Sequence, residues 1–458
     1  MQIAFRSISF TALALGIAGV IACGQADASG FQLRENSVKN LGRANAGTAV
    51  ASDDASVVAN NPAAMVNLKK TTFQADVSVI DLTAKFDGGG NAAAAFGPAA
   101  PALTGGDGGD PGEPTAVPAL AIVLPMHGAL EGLTLGASVH APFGLKTEYD
   151  ADWVGRYNAI KSDVKTVDLT FSAAVAVTDR FSIGAGLIYQ HADVTLSNAI
   201  DFGTALCAGS GNPANCFNPA FPFHPQGADG RLSVTGDDNG MGWLAGAQWR
   251  PTDNFSIGYS HRSEIDHDLQ GEVDFTMPAA VAGALGPGAP ADGPITAPLT
   301  TPSIDTLSAQ WDINDSFRLL ADVQRTDWHS LQAVRIYREN ANHTALGNEP
   351  FNWKDTTYIA LGGEWDLSDS FTLRAGIAKD QSPTNDLTRT PRLPDNDRML
   401  YSLGMTWNVS EALSVDAAYQ RITIDNPSIN IASTSGSRLV GEFDGHADLF
   451  GIAAQYRF

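Results

Sequence analysis

The residues that could support acid–base or nucleophilic chemistry are scattered along this chain. Asp322 and Asp327, with His329 alone in reach, are one grouping of acids with a base. In an extended strand, however, Asp322 and Asp327 have opposite parity and face opposite sides. No Ser, His and Asp occur in a recognisable catalytic motif such as a nucleophile elbow. The sequence therefore argues against an enzyme, with an outer-membrane hydrolase as the remaining enzymatic alternative.

Two cysteines could provide redox chemistry. Cys207 and Cys216 lie in a segment rich in Gly, Asn and Pro. In an oxidising compartment they could close a small disulfide loop, and two free thiols are the alternative. A metal site is not indicated, because His224 alone cannot supply the missing ligands. We therefore predict that the protein uses neither a metal nor another cofactor.

The N-terminus has the features of an export signal. Arg6 precedes an apolar run from Ile8 to Cys23, and Ala26-Asp27-Ala28 fits a small-x-small cleavage site. This pattern predicts a secretory signal at residues 1–28. A transmembrane anchor and lipoprotein processing at Cys23 are two alternatives. The apolar run is short for a membrane helix, which favours cleavage after Ala28.

The charge of the chain restricts its partners. The formal net charge is -22, and 17% of the residues are charged. Removal of residues 1–28 takes away one positive and one negative charge, so the mature chain keeps the same value. Because phosphates would be repelled, nucleic acid is disfavoured as a partner. An anionic surface permits contacts with divalent cations, but no specific ion site can be named.

Strictly alternating segments follow residue 71. In Thr72–Val79, four apolar residues face one side and four polar residues face the other. The same pattern recurs at 133–140, 181–187 and 414–419. A period of two residues indicates a strand with one apolar face. A soluble β-sandwich could give this pattern as well as a barrel.

The spacing of the turns favours a membrane barrel over the sandwich. Six short connections alternate with seven long ones and imply fourteen strands between residues 71 and 458. We predict the long connections at 87–115, 149–160, 198–230, 277–300, 339–350, 381–397 and 426–445. Tight turns at one end, long loops at the other and an even strand number are typical of outer-membrane barrels.

A transmembrane sheet must also close on itself, because lipid cannot satisfy an open edge. The last strand ends in Phe458 and resembles the assembly signal of outer-membrane barrels. Most of the eight tryptophans fall near predicted strand ends, where aromatic belts would meet the membrane interfaces. For any single tryptophan, packing within a loop explains the position equally well.

Residues 29–70 differ from both neighbouring regions. They are rich in Ala, Asn, Ser and Gly, and they contain neither a catalytic cluster nor a long apolar run. They lie directly between the export signal and the first strand. We predict that this segment folds as a plug inside the barrel. The predicted organisation is therefore a signal at 1–28, a plug at 29–70 and an all-β, 14-stranded antiparallel barrel at 71–458.

Several motifs in order resemble one family. The mature start Gly30-Phe31-Gln32-Leu33 is followed by Asn61-Pro62-Ala63, and later blocks include Tyr259–Glu264 and Leu393–Arg398. The chain resembles the FadL/TodX-type outer-membrane transporters of hydrophobic compounds, from its mature terminus to Phe458. The resemblance implies a 14-stranded barrel closed by an N-terminal hatch. It also implies transport by downhill diffusion without a cofactor.

The resemblance assigns roles to particular residues. Phe31 matches the hatch aromatic near the bound ligand, and Asn61, Pro62 and Ala63 match the family's hatch motif, with a simple turn as the alternative. Pro142, Phe143 and Gly144 map onto a kink in the third strand, through which the ligand would leave sideways. An ordinary strand end is the alternative there. The family's basic residues at the fatty acid carboxylate correspond to Asn198 and Glu349, so those contacts do not transfer.

The implied function is outer-membrane transport of hydrophobic molecules, chiefly long-chain fatty acids. Uptake of aromatic or aliphatic hydrocarbons by the same route and a structural or adhesive barrel are alternatives. The expected location is the outer membrane of a Gram-negative bacterium. The expected partners are the hydrophobic ligand, outer-membrane lipid and lipopolysaccharide, and the barrel assembly machinery. We expect a monomer.

Overall fold

A computed structural model describes residues 30–51 and 53–458, so the predicted signal at 1–28 lies outside the described residues. Within them, fourteen antiparallel strands close into one barrel by pairing of the first with the last. The strands are β1 Thr72–Asn91, β2 Thr115–Pro125, β3 Leu133–His140 with Gly144–Glu148, β4 Lys161–Thr178, β5 Phe181–Asp201, β6 Asp229–Thr252, β7 Phe255–Arg262 with Ile265–Thr276, β8 Gly293–Thr301 with Ile304–Asn314, β9 Phe317–Thr326 with Ala333–Arg338, β10 Ala345–Pro350 with Thr356–Ser368, β11 Phe371–Asp380, β12 Arg398–Asn408, β13 Leu413–Ile424 with Ser428–Ala432, and β14 Arg438–Arg457.

The helices are short. They are α1 Val38–Leu41, α2 Val57–Asn60, α3 Phe202–Gly209 and α4 Ala279–Leu285, with 3₁₀ turns at Pro62–Asn67, Ala94–Ala99, Gly128–Leu130, Pro213–Phe217, Gly286–Gly288 and Trp328–Ser330. Among the described residues, no helix combines the length and the apolar character that a membrane crossing needs.

The alternation of the sequence becomes the two faces of the wall. Along β5, Leu187 and Tyr189 are exposed on the outside, whereas Ile188 between them and Gln190 after them are buried on the inside. Exposed apolar side chains recur on the outer face of nearly every strand, for example Phe171, Leu403 and Ile452. Apolar side chains on the outer face of the barrel and polar side chains in its lumen are the arrangement that a lipid bilayer requires. The predicted fold class is confirmed.

Tryptophans divide between the wall and the interior. An outward ring of exposed aromatics lies close to the short turns and contains Phe181, Trp249, Trp311, Phe317, Trp365, Phe371 and Trp407. Amphipathic rings at this level fit a membrane–water interface. In contrast, Trp153, Trp328 and Trp353 are buried inside the protein. These three therefore do not belong to an aromatic belt.

Several predicted loop boundaries were wrong. The connection predicted at 426–445 contains Ser428–Ala432 and the start of β14, so only 433–437 links the two strands. The loops predicted at 87–115, 198–230, 277–300 and 339–350 likewise include strand ends. Glycine and proline, which are typical of loops, occur in several of these strand ends, for example Gly88, Gly89 and Gly90 in β1 and Gly293 and Pro294 in β8. Hydrogen bonds between neighbouring strands nevertheless continue there.

The N-terminal segment, residues 30–51 and 53–70 as described, packs against the inner wall. The carbonyl oxygen of Ala49 lies so near Gly258 that a Cβ there would approach it to 1.9 Å. At Gly376, a Cβ would come within 2.2 Å of the backbone of Arg43. Glycine is required at these two wall positions because the segment's backbone lies directly against the strands. The segment contains α1 and α2 and is largely buried.

Candidate functional site

An apolar cavity lies inside the barrel on the side of the long loops. It contains about 970 Å³ of atom-free space, including its mouth. Its wall is formed mainly by side chains of the upper strand halves, among them Leu145, Val164, Val194, Leu269, Ile295, Leu299, Leu331 and Ile336. A concave, largely apolar pocket of this size with few polar groups is suited to a hydrophobic small molecule.

Four aromatic side chains form the floor of this cavity. Phe31 from the N-terminal segment lies 4.9 Å from Trp328 and 5.8 Å from both Phe143 and Trp353, measured between ring centroids. Phe143 and Trp328 are fully buried. Phe31 and Trp353 line the cavity directly. The structure thus places Phe31 where a ligand in the cavity would touch it.

The opposite end of the cavity carries a basic residue that sequence analysis missed. Arg392, on the 381–397 connection, is buried. Its Nε donates to the Glu349 carboxylate at 3.2 Å, and its Nη2 donates to the Asn198 side-chain oxygen at 3.2 Å. Asn198 and Glu349 are the two positions where the family resemblance expected basic residues. In the structure, both residues contact Arg392, which belongs to a different segment of the chain. No local sequence motif indicated this contact.

The wall is interrupted beside the aromatic floor. Pairing between β2 and β3 ends at Leu120 and Val139. Further toward the long loops, Gly144–Glu148 of β3 pairs with β4. Among the described residues, this half of β3 does not pair with β2. Pro142 and Phe143 occupy the break between the two halves of β3. Proline lacks the ladder donor, which explains why regular pairing stops there.

The N-terminal segment fills the break in β3. The Leu33 N–H donates to the Pro142 carbonyl at 2.7 Å, and the Gly144 N–H donates to the Phe31 carbonyl at 2.7 Å. Gln32 and Phe143 form an isolated antiparallel bridge. Three residues of the N-terminal segment therefore act as a short strand against the interrupted part of the wall.

Asn61, Pro62 and Ala63 hold the other end of the segment. The Asn61 amide donates to the carbonyl of Ala49 at 2.6 Å and to that of Ala247 on β6 at 3.2 Å, and its oxygen accepts from the Ala63 N–H at 3.0 Å. Pro62 occupies the first position of the following 3₁₀ turn, where its missing N–H costs nothing. One side chain thus joins two parts of the segment to the wall.

The family relationship follows from this geometry and from sequence comparison. Residues 19–458 match the model of a family described as "Outer membrane protein transport protein (OMPP1/FadL/TodX)". The chain belongs to the OMPP1/FadL/TodX family. It is therefore an outer-membrane transport channel for hydrophobic compounds and not an enzyme.

Individual FadL-family proteins align over nearly the whole chain. Outer membrane protein P1 of Haemophilus influenzae is 29% identical, covering 97% of this chain and 98% of its own length. The long-chain fatty acid transport protein of Escherichia coli K12 is 28% identical, with 98% and 99% coverage. A crystal structure of a Pseudomonas aeruginosa FadL homologue superposes with a TM-score of 0.83 at 28% identity, covering 93% and 99% of the two chains.

A buried ion network joins the N-terminal segment to the far side of the FadL-type barrel. The Glu364 carboxylate on β10 accepts from Arg43 of the N-terminal segment, from Arg318 on β9 and from Arg374 on β11. Glu364, Arg43 and Arg374 are all buried. Asp53 lies 3.7 Å from Arg43 and 3.6 Å from Arg374. Sequence analysis missed this network, because Arg43 and Asp53 are far in the sequence from the three neighbouring strands that supply the other members.

The residues considered for acid–base chemistry do not form a catalytic site. Asp322 faces the lumen and accepts from the backbone N–H groups of Gly47 at 2.6 Å and Thr48 at 3.1 Å. The N–H of His329 donates to Asp355 on the other side of the wall. Asp322 therefore binds the N-terminal segment, because its position in β9 directs its side chain into the lumen.

The outer loop after β5 contains a disulfide between Cys207 and Cys216. Both cysteines are buried beneath the α3 turn and the following 3₁₀ turn. We expect the mature protein to be oxidised at this pair. Alkylation of the native, unreduced protein should then label neither cysteine, and mass spectrometry should recover a linked peptide. Labelling of both thiols without reductant would contradict the expectation.

Proposed function

We propose that this protein carries long-chain fatty acids through the outer membrane by diffusion. The observation that supports this substrate class is Arg392 at one end of a largely apolar cavity, in a polar part of the lining that also contains Glu349 and Arg389. An acyl chain would occupy the apolar part, and its carboxylate would replace Glu349 as an acceptor of Arg392. A charge-assisted pair with an arginine is stronger than a neutral hydrogen bond. A hydrocarbon has no group that could accept a hydrogen bond from Arg392.

The proposed route continues sideways through the wall. The N-terminal segment acts as a hatch, with Phe31 beneath the ligand and Asn61, Pro62 and Ala63 fixing its far end. The lateral gate is the break at Pro142, Phe143 and Gly144. Burial of an acyl chain in lipid is favourable by about 0.8 kcal/mol per methylene, so a lateral exit needs no energy source. We also propose that the closed barrel works as a monomer, surrounded by lipopolysaccharide and inserted by the barrel assembly machinery.

A pair of opposite substitutions tests the proposed substrate. Arg392→Gln should weaken palmitate binding by about ten- to a hundredfold, because a hydrogen bond to a charged group contributes about 1.5–3 kcal/mol. Glu349→Gln should tighten palmitate binding, since it removes the carboxylate that competes for Arg392. The change in intrinsic tryptophan fluorescence on ligand addition gives the dissociation constants, since Trp353 lines the cavity.

Hexadecane and toluene serve as ligands without a carboxylate. Both variants should leave their binding unchanged. If palmitate affinity stays at the wild-type value in Arg392→Gln, the fatty acid assignment is wrong. Binding of toluene but not palmitate by the wild type would point to aromatic hydrocarbons as the substrate. A wild-type protein that binds none of the three would contradict the proposed function as a whole.

A further inference from the structure

A second, polar chamber lies on the other side of the aromatic floor. It contains about 700 Å³ of atom-free space, and its lining includes Arg34, His140, Pro142, Arg262 and Asp322. Phe31 borders the apolar cavity, whereas the next residues of the N-terminal segment border this chamber. The N-terminal segment and Phe143 thus separate an apolar space from a polar one. The polar chamber reaches the break in the wall at Pro142, and the apolar cavity reaches the neighbouring Leu145.

Two arginines of the chamber have buried donors for which the described residues provide no acceptor. The Nη1 of Arg262 donates to Asp168, but among the described residues its buried Nε and Nη2 have no acceptor. Arg34 donates from Nη1 to Asp380 and from Nη2 to Gln324, and its buried Nε likewise has no acceptor. The two arginine side chains are 11% and 9% exposed. Buried donors without acceptors are costly and are normally satisfied.

The acids near the chamber do not satisfy these donors. Asp168 accepts from Arg262 and also from the Gln190 amide at 2.7 Å. Asp322 is already engaged by the backbone of Gly47 and Thr48. Atoms of the neutral Asn45 amide and of the His140 ring, which also line the chamber, likewise have no partner in the described part of the chain. The unpartnered groups of the two arginines are donors on cations, which favours an anionic acceptor over a metal ion.

The free edge of Arg262 has a specific shape. Nε and Nη2 lie side by side on the planar guanidinium and present two parallel N–H groups. This edge matches the two oxygens of a carboxylate, an arrangement that lysine cannot reproduce. The guanidinium carbon of Arg262 lies 5.7 Å from the centre of the ring of Phe143, a residue at the break in β3. A carboxylate bound here would lie next to the lateral opening.

We propose that this chamber is a second headgroup site, in which the Nε–Nη2 edge of Arg262 binds the carboxylate of an acyl-chain ligand after it leaves Arg392. The Nε of Arg34 is an additional donor to the same group. This inference rests on the proposed transport of fatty acids and adds a second binding site to the proposed route. The acid group would stay paired with an arginine while the acyl chain passes the aromatic floor into the lipid. A ligand without an acid group would not be bound by this second site.

Arg262→Lys tests the site without leaving Asp168 unpaired. Lysine keeps the positive charge beside Asp168 but loses the two-pronged edge. We expect uptake of radiolabelled palmitate to fall about tenfold, the effect of one lost charge-assisted hydrogen bond. Uptake of 1-hexadecanol, which has the same chain length without the acid, should not change. Palmitate binding to the apolar cavity, followed by intrinsic tryptophan fluorescence, should also stay at the wild-type value.

Arg180→Lys, in an exposed short turn far from both spaces, is the matched control and should behave as the wild type. Wild-type palmitate uptake by a correctly assembled Arg262→Lys protein would overturn the second site. An equal fall for palmitate and 1-hexadecanol would also overturn it, because the arginine would then only support the fold. A wild-type protein that neither binds nor imports palmitate would contradict the proposed function itself.

A second measurement does not depend on any variant. Crystals of the wild-type protein grown with 2-bromopalmitate should show anomalous bromine density in the polar chamber beside Arg262, because the bromine is next to the carboxylate. Density at the Arg392 end alone would overturn the second site while supporting the first. Density at neither end would contradict the fatty acid proposal.

Discussion

A cross-link between the N-terminal segment and β3 should abolish palmitate uptake while leaving palmitate binding intact. Gln32 and Phe143 form an antiparallel bridge in which the flanking residues make the hydrogen bonds. In such a pair the Cα atoms are about 4.5 Å apart, which suits a disulfide. The oxidised Gln32→Cys/Phe143→Cys protein would hold the segment in the break. A ligand in the cavity would then have no way to the lateral opening.

The two single variants are matched controls for this cross-link, because each carries one of the changes without the bond. Reduction of the double variant should restore uptake to the rate of the Phe143→Cys protein. The wild type with its Cys207–Cys216 bond reduced must be assayed in parallel. Wild-type uptake by the fully oxidised double variant would mean that the ligand passes without separating the segment from β3.

The barrel could be predicted because the lipid bilayer imposes a simple rule on each strand. Alternation in segments such as Thr72–Val79 places apolar side chains outward, and this local pattern is independent of distant contacts. The rule applies only within the membrane. At Ser428–Ala432 the strand is only five residues long and lies between Pro427 and the Ser/Gly-rich segment 433–437, so the sequence does not distinguish it from a loop, although Ile429 is buried.

The break in β3, which is the proposed lateral gate, could be inferred in part. Pro142 marks an interruption on local grounds, because proline cannot donate to a neighbouring strand. The occupant of that interruption could not be predicted. The hydrogen bonds of Leu33 and Gly144 join residues more than 100 positions apart, and they depend on backbone atoms that carry no residue-specific signal. That Gly144 serves as part of the gate stays a prediction.

The polar residues of the site were the hardest to infer. Arg392 approaches Asn198 and Glu349 only because the 381–397 connection folds inward over the barrel mouth. Arg262 lies within a motif that sequence analysis did quote, but its free guanidinium edge becomes apparent only when Asp168 is placed opposite it. Residue type and spacing indicate neither arrangement, since each requires strands that are distant in the chain.

Loss of Glu364 should release the N-terminal segment from the barrel. Glu364→Ala leaves Arg43, Arg318 and Arg374 without their shared carboxylate, and breaking a buried ion pair in this way costs about 3–5 kcal/mol. The barrel itself should still close, because its fourteen-strand ladder does not use this side chain. We expect faster trypsin cleavage at Arg34, Lys39 and Arg43, together with a larger ion conductance in planar bilayers.

Glu411→Ala is the matched control, because it removes the same side chain from an exposed short turn. This variant should keep the protease resistance and the low conductance of the wild type. The contrast depends on where the charge lies: an exposed carboxylate loses little when removed, whereas Glu364 compensates three buried or partly buried guanidinium groups. A Glu364→Ala protein that assembles with wild-type protease resistance and conductance would show that other contacts hold the segment. The Asn61 amide and the carboxylate of Asp322 would then be the anchors to remove next.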